Sequence, residues 1–163
     1  MAIFSRGVRQ HTRVYFTGGA SAVLMGWRES TIDLDIRFEP EHDELFRALP
    51  RIKEELQVNV ELAAPSDFIP QLPGWQERSQ LIDTEGKVSY YHYDFYSQAL
   101  SKIERGHDHD IKDVEAMIKN RLVEPKRLLE LFKEIEPQLY KYPAIDPASF
   151  LSAVKRFAFD RSS

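Results

Sequence analysis

The chain contains no cysteine among its 163 residues. This absence excludes a disulfide-stapled scaffold and any metal site with thiolate ligands, and it permits a reducing compartment. No run of about 18 apolar residues occurs, so we expect no membrane span. Residues 1–13 also lack the continuous apolar stretch of a signal peptide. We therefore expect a cytoplasmic protein without a membrane partner.

A strong charge of one sign is also missing. The sequence has 22 basic and 26 acidic side chains, for a formal net charge of -4. This balance argues against nonspecific nucleic-acid binding through overall charge, although a local basic patch stays open. What the sequence does contain is 42% hydrophobic residues, including ten Phe and seven Tyr. That is enough apolar material for a core, and the length fits one domain.

The first half of the chain alternates between apolar and polar residues in several short stretches. Such alternation is typical of half-buried strands, whereas apolar residues at helical spacing indicate amphipathic helices. Pro50 lies inside one helical stretch and is expected to kink or split it. We predict strands at 13–17, 31–38 and 57–62, a hairpin from 81–82 and 87–93, and helices at 20–27 and 42–56.

From Asp94 onward the pattern becomes helical. Pro125 and the pair Asp146-Pro147 are typical of helix starts. A strand-rich half followed by a helix-rich half predicts an α+β fold, with a mixed sheet flanked by helices and a C-terminal helical region. We expect a core over residues 1–93 and a helical region over 94–163 packed on it as a single compact unit.

Two aspartates on one predicted strand suggest a metal site. Side chains alternate along a strand, so Asp33 and Asp35 should share a face about 6.5–7 Å apart. Two like charges repel unless a cation lies between them, and Mg²⁺ commonly uses one or two carboxylates with substrate phosphates. Gly18 and Gly19, ahead of a helix, would offer backbone N–H groups to a phosphate. The alternative is a solvated strand face and a plain turn.

Residues 17–36, "TGGASAVLMGWRESTIDLDI", resemble the opening signature of the polymerase-β-like nucleotidyltransferase superfamily. Within it, they are similar to the branch that contains the AbiEii toxins of type IV toxin–antitoxin systems. The resemblance implies a nucleotidyltransferase-like sheet with Asp33 and Asp35 as catalytic metal ligands. It also implies a nucleotide site formed by Gly18, Gly19, Ser21, Arg28 and Thr31. The sequence departs from the family at Ala20, where a Ser or Thr hydroxyl is usual, and Ser21 follows one position late.

A second block, "DFYSQALSKIERGHDHDIKDVEAM" over residues 94–117, resembles a helical motif of the same branch. The resemblance implies that Lys102 contacts nucleotide phosphates, and that Asp110 or Asp113 is the remaining catalytic acid. The alternative for Lys102 is a surface helix lysine. Glu61 is another candidate for the third carboxylate because it faces the same way as Asn59 on the predicted strand 57–62. Its alternative is a solvated edge residue.

Together these features predict an enzyme that uses Mg²⁺ or Mn²⁺. It would transfer a nucleoside monophosphate from an NTP to an acceptor hydroxyl, on an RNA end or a protein side chain. The resemblance further suggests a toxin-like component with an antitoxin or regulator partner. The alternative is a non-catalytic nucleotide-binding or regulatory protein with the same fold.

Overall fold

The computed structural model describes residues 10–27, 33–41 and 43–160. The chain divides into two compact units. The first unit comprises Met1–Ala64 and Ser79–Tyr93, and the second comprises Pro65–Arg78 and Asp94–Ser163. The second unit is therefore built from two segments of the chain, and the short segment Pro65–Arg78 interrupts the first unit in sequence.

The first unit contains a five-stranded mixed sheet. Its strands are β1 (Thr12–Thr17), β2 (Asp33–Glu39), β3 (Asn59–Leu62), β4 (Gln80–Glu85) and β5 (Val88–His92). Their order in the sheet is β3-β2-β1-β5-β4. β1 lies at the centre, antiparallel to β2 and parallel to β5. β3 pairs with β2 in parallel, and β4 pairs with β5 as an antiparallel hairpin.

Two helices belong to the same unit, α1 (Gly18–Met25) and α2 (Asp43–Leu56). Buried apolar residues of the strands pack with residues of both helices on one side of the sheet. On the opposite side, the buried Tyr15 ring of β1 stacks on the Tyr91 ring of β5. α2 is continuous through Pro50, so the predicted split is wrong, and the kink stays a prediction. The core comprises Val14, Phe16, Ala20, Ile36, Phe38, Leu45, Ile52, Val60, Val88 and Tyr90.

The second unit is helical. Its helix ends follow ordinary capping rules. Gly106 ends the helix Phe95–Arg105 in the left-handed conformation, and the Asp146 carboxylate accepts a hydrogen bond from Ala148 N at 3.1 Å at the start of the helix Pro147–Lys155. Its α-helices are α3 (Trp75–Arg78), α4 (Phe95–Arg105), α5 (Asp108–Lys119), α6 (Pro125–Ile135) and α7 (Pro147–Lys155). Two 3₁₀ segments (Pro65–Asp67 and Glu136–Lys141) and a π segment (Arg156–Asp160) complete it.

The predicted α+β class is confirmed by the mixed sheet and its flanking helices. One boundary differs in an informative way. We predicted a glycine turn followed by a helix from Ala20, but α1 already begins at Gly18, because extended Thr17 serves as its N-cap. Among the described residues, no helix combines the length and the apolar character that crossing a bilayer requires.

Candidate functional site

Asp35 lies against the start of α1 at the carboxyl end of β1. The antiparallel ladder places Asp35 directly opposite Thr17, the residue before Gly18. Gly18 has φ +60°, and a Cβ added there would lie 3.2 Å from Asp35 Oδ2. Glycine is favoured at this position both by the left-handed backbone and by the closeness of the carboxylate. The sheet thus brings one carboxylate next to the first turn of a helix.

The first turn of α1 provides the second part of the site. The first four N–H groups of any α-helix lack intrahelical partners, and they carry the positive end of the helix dipole. Gly18 and Gly19 are the first two residues of α1. Anions are stabilised at such a helix end. Asp35 and the glycine amides therefore form a place where a cation and a phosphate could lie side by side.

Glu61 is the register partner of Asp35 on the neighbouring strand β3. Partners on adjacent strands lie about 4.8 Å apart and project from the same face. Asp35 is half-buried and Glu61 is exposed, so the two carboxylates form a row at the surface. Two adjacent carboxylates suit a hard divalent cation. Among the described side chains, no group of three or more His, Asp or Glu residues is placed to hold a metal ion.

Three predicted site residues lie wholly or partly outside the described structure. The backbone of Asp33 pairs with Asn59 in the β2–β3 ladder, but its side chain lies outside the described structure. Arg28 and Thr31 lie outside the described residues altogether. The metal role of Asp33 and the nucleotide roles of Arg28 and Thr31 stay predictions.

Ser21 is fully buried, and its hydroxyl already has two partners. Ser21 Oγ donates to the Phe16 carbonyl at 3.0 Å and lies 3.0 Å from His92 Nδ1. A serine hydroxyl has a single proton, so His92 Nδ1 must be the donor in the second contact. Burial lowers the pKa of His92 to about 4, which keeps the ring neutral near pH 7. The role of Ser21 as a nucleotide ligand stays a prediction.

Sequence reasoning missed His92 as a partner of this region. Within "YYHYDFY" it was only one polar member of an aromatic run. The signal that could have found it is its place in the alternation: Val88, Tyr90 and His92 share one side of β5, which is the core side. A histidine at a core-facing strand position needs a polar partner, and a nearby helix serine is a suitable one.

Lys102, Asp110 and Asp113 come together in the second unit as a buried ionic network. Lys102 Nζ donates to Asp113 Oδ2 at 2.8 Å and lies 3.9 Å from Asp110 Oδ1. Arg105 Nε donates to Asp110 Oδ2 at 2.8 Å. Burial alone would raise the pKa of Asp110, but Arg105 and Lys102 lower it below its ordinary value. Mutual pairing accounts for the burial of these charges, because an unpaired buried charge is costly. Their roles at the nucleotide stay predictions.

A cleft of about 880 Å³ opens in the first unit towards the other end of β1 and β2. Arg13, Arg37 and Lys87 are among its lining residues, together with Glu39 and Tyr91. Arg37 Nη2 forms an ion pair with Glu39 Oε1 at 3.1 Å. Arg37 follows Asp35 by two residues on β2, so the cleft begins about 7 Å from the carboxylate row.

Comparison with the curated proteins gives no match, and comparison with the solved structures gives none either. A family model described as "nucleotidyltransferase of unknown function (DUF6036)" matches residues 6–149. This match includes the glycine turn, the aspartate strand and the buried Lys102 network. Because the match spans well over half of the sequence, the chain belongs to this family of nucleotidyltransferases of unknown function.

Proposed function

We propose that this protein is a nucleotidyltransferase that uses Mg²⁺ or Mn²⁺ to transfer a nucleoside monophosphate from an NTP to an acceptor hydroxyl. The observation that carries the proposal is the approach of Asp35 Oδ2 to Gly18 at the first turn of α1. This juxtaposition provides a carboxylate for a cation and backbone amides for a phosphate in one place. Membership of a nucleotidyltransferase family supports the same class of reaction.

Asp33 and Asp35 are the residues that would hold the metal. Carboxylate oxygens are the ligands that Mg²⁺ prefers, and the half-buried Asp35 with exposed Glu61 beside it fits such a cation. When bound, the ion supplies charge neutralisation at the phosphates and at the leaving pyrophosphate.

The chain's own residues bind and orient the reactants. Backbone N–H groups of Gly18 and Gly19 hold the triphosphate. The acceptor oxygen forms a bond to the α-phosphorus, and the bond from that phosphorus to the bridging oxygen breaks, so pyrophosphate leaves. Glu61, the register partner of Asp35, takes the proton of the acceptor hydroxyl. Such transfer depends on positioning and charge neutralisation more than on covalent catalysis.

The acceptor enters through the cleft that contains Arg13, Arg37 and Tyr91. The cleft begins about 7 Å from the carboxylates of Asp35 and Glu61 and is large enough for part of an RNA end or a protein side chain. A toxin-like role with an antitoxin or regulator partner rests on the resemblance of residues 17–36 and 94–117 to the AbiEii branch.

The proposal is tested by incubating the protein with each α-labelled NTP, Mg²⁺ or Mn²⁺, and total RNA and protein. The parent should label one acceptor class. Asp35→Asn should reduce labelling at least a hundredfold, because it removes a metal ligand. Asp83→Asn is the matched control, since Asp83 is exposed on β4, three strands away in the sheet order. Equal labelling by Asp35→Asn and the parent would refute the assignment.

The double change Asp33→Asn with Asp35→Asn tests metal binding apart from catalysis. We expect it to abolish Mg²⁺-dependent NTP binding, measured by calorimetry, while the fold is kept. Removing two mutually repelling carboxylates should leave the melting temperature unchanged or raise it. Labelled NTP bound as tightly by the double variant as by the parent would contradict the metal role.

A second function is favoured by the absence of a hydroxyl at the turn. Ala20 is buried at a position where the proteins that residues 17–36 resemble usually have Ser or Thr, and the Ser21 hydroxyl donates to the Phe16 carbonyl in the interior. A nucleotidyltransferase fold that lacks this phosphate contact could bind a nucleotide without catalysis, as a regulatory protein. Stabilisation by an NTP in a thermal shift assay, with no labelling of any acceptor, would favour this alternative.

A further inference from the structure

We propose that Ser21 and His92 are positioning residues that hold the first turn of α1 against Asp35. The two residues lie 71 positions apart in the sequence and meet through the Ser21 Oγ to His92 Nδ1 contact at 3.0 Å. Their relevance to nucleotide binding rests on the function proposed above. The anchoring of the helix stands on the geometry alone.

Helix α1 is short and its fully buried residues are small. It is only eight residues long, and isolated helices shorter than about 12–15 residues are marginal in water. Its buried residues are Ala20, Ser21 and Ala22, which bury little apolar area. Leu24, a larger apolar residue of the helix, is 49% exposed. The small buried residues therefore contribute little hydrophobic stabilisation to the position of this helix, and its polar contacts contribute a larger share.

The polar contacts converge just before the glycine turn. The Phe16 carbonyl accepts from Ser21 Oγ at 3.0 Å and from Tyr93 N at 2.9 Å. His92 is the register partner of Phe16 in the parallel β1–β5 ladder. Ser21 thus links α1 to the ends of two strands, through Phe16 of β1 and His92 of β5. Phe16 lies two residues before Gly18 in the sequence. A shift of α1 along or away from the sheet would break both bonds of the Ser21 hydroxyl.

The direction of the hydrogen bonds suggests a conservative replacement. Ser21 gives its proton to Phe16, so His92 must present a donor at Nδ1. An asparagine side-chain amide can place a nitrogen donor near the position of Nδ1, whereas leucine fills the space without a donor. His92→Asn should therefore preserve the link, and His92→Leu should remove it.

Two measurements on the full-length chain test the proposal. The first is amide hydrogen exchange in α1, compared with α2 of the same unit. His92→Leu should accelerate exchange in α1 about tenfold, the effect of one buried hydrogen bond, with α2 unchanged. Ser21→Ala removes two hydrogen bonds and should accelerate exchange in α1 at least as much. His92→Asn should stay near the parent. The double variant Ser21→Ala with His92→Leu should be no faster than Ser21→Ala, because Ser21→Ala already removes the link that His92→Leu breaks.

The second measurement is the dissociation constant of Mg²⁺-bound NTP for the same variants. Ser21→Ala and His92→Leu should each weaken binding about tenfold, whereas His92→Asn should bind NTP nearly as tightly as the parent. Equal acceleration in α1 and α2, or none in α1, would overturn the anchoring role. If the parent binds NTP and Ser21→Ala binds it equally tightly, the positioning role is overturned. A parent that binds no NTP but shows the predicted exchange pattern would refute the proposed function and leave the anchoring supported.

Discussion

Acidification from pH 6.5 to pH 4 should cost the protein about 3 kcal/mol of its free energy of unfolding through His92. The pKa of His92 is lowered from 6.5 in an ordinary histidine to about 4 in the folded chain. Each unit of difference between the folded and unfolded pKa is worth about 1.4 kcal/mol. The unfolded chain binds the extra proton first, so stability falls as the pH falls through this window. The contribution is complete above pH 6.5 and lost below pH 4.

Burial is the physical cause of this shift. The His92 side chain is 6% exposed, and desolvation penalises its charged form. Its Nδ1 already donates to Ser21, so protonation would add a proton at Nε2 in a buried place. Asn at the same position cannot titrate but can keep the donor. The difference between parent and His92→Asn therefore isolates the contribution of the ring's charge.

The assay is a series of urea unfolding curves between pH 4 and pH 8 for the parent and for His92→Asn. The difference in free energy of unfolding should change by about 3 kcal/mol between pH 8 and pH 4, with the parent losing more. His11→Asn makes the same substitution at an exposed histidine of the first unit and serves as the matched control. A constant difference between parent and His92→Asn across the whole range would refute the reasoning.

Gly18→Ala should lower the free energy of unfolding by about 1 kcal/mol or more, because alanine is strained in the left-handed backbone conformation of this position. The added Cβ should also displace the Asp35 carboxylate and thereby weaken Mg²⁺-dependent NTP binding. Gly86→Ala is its control in thermal melts and binding assays, because φ is +59° there and nothing lies within 4 Å of the added Cβ; equal NTP binding by both variants would contradict the crowding. Lys102→Met should cost about 3–5 kcal/mol in urea unfolding, because it leaves the buried Asp113 carboxylate without its 2.8 Å partner. Adding Asp113→Leu to Lys102→Met should recover much of that loss, and a further loss of similar size would show that the two side chains contribute independently.

The residue types predicted the strands for two different reasons. In β1, both sides are buried from Val14 to Thr17, and the strand is marked by its β-branched and aromatic residues. In β5, buried Val88, Tyr90 and His92 alternate with half-buried residues, which is the period of two of a strand. The same alternation placed Glu61 and Asp35 on strands, but their pairing depends on the register between β2 and β3, which no local pattern encodes. The start of α1 was misplaced because two successive glycines are typical of turns, and only the conformation of Thr17 reveals a helix from Gly18.

The candidate site was harder to predict where contacts are distant in sequence. The Ser21–His92 link joins residues 71 positions apart, and the local sequence around either residue does not predict the other as its partner. Lys102 and Asp113 were singled out by resemblance to a motif, but their pairing depends on how α4 and α5 pack, since they lie on different helices. Patterns of residue types predict which side of an element is buried, while side-chain partners follow from packing between elements.

The assignment of residues 65–78 to the second unit has a consequence for expressing fragments of the protein. This segment belongs to the helical unit, where Arg78 pairs with Asp94 at 2.9 Å and the Tyr142 hydroxyl contacts the Ser66 carbonyl at 3.5 Å. A fragment truncated after Tyr93 would carry the segment without either partner. A fragment starting at Asp94 would lack it, and would leave the Asp94 carboxylate without its guanidinium. Neither half can be cut out of the gene as one continuous piece and keep all its native contacts.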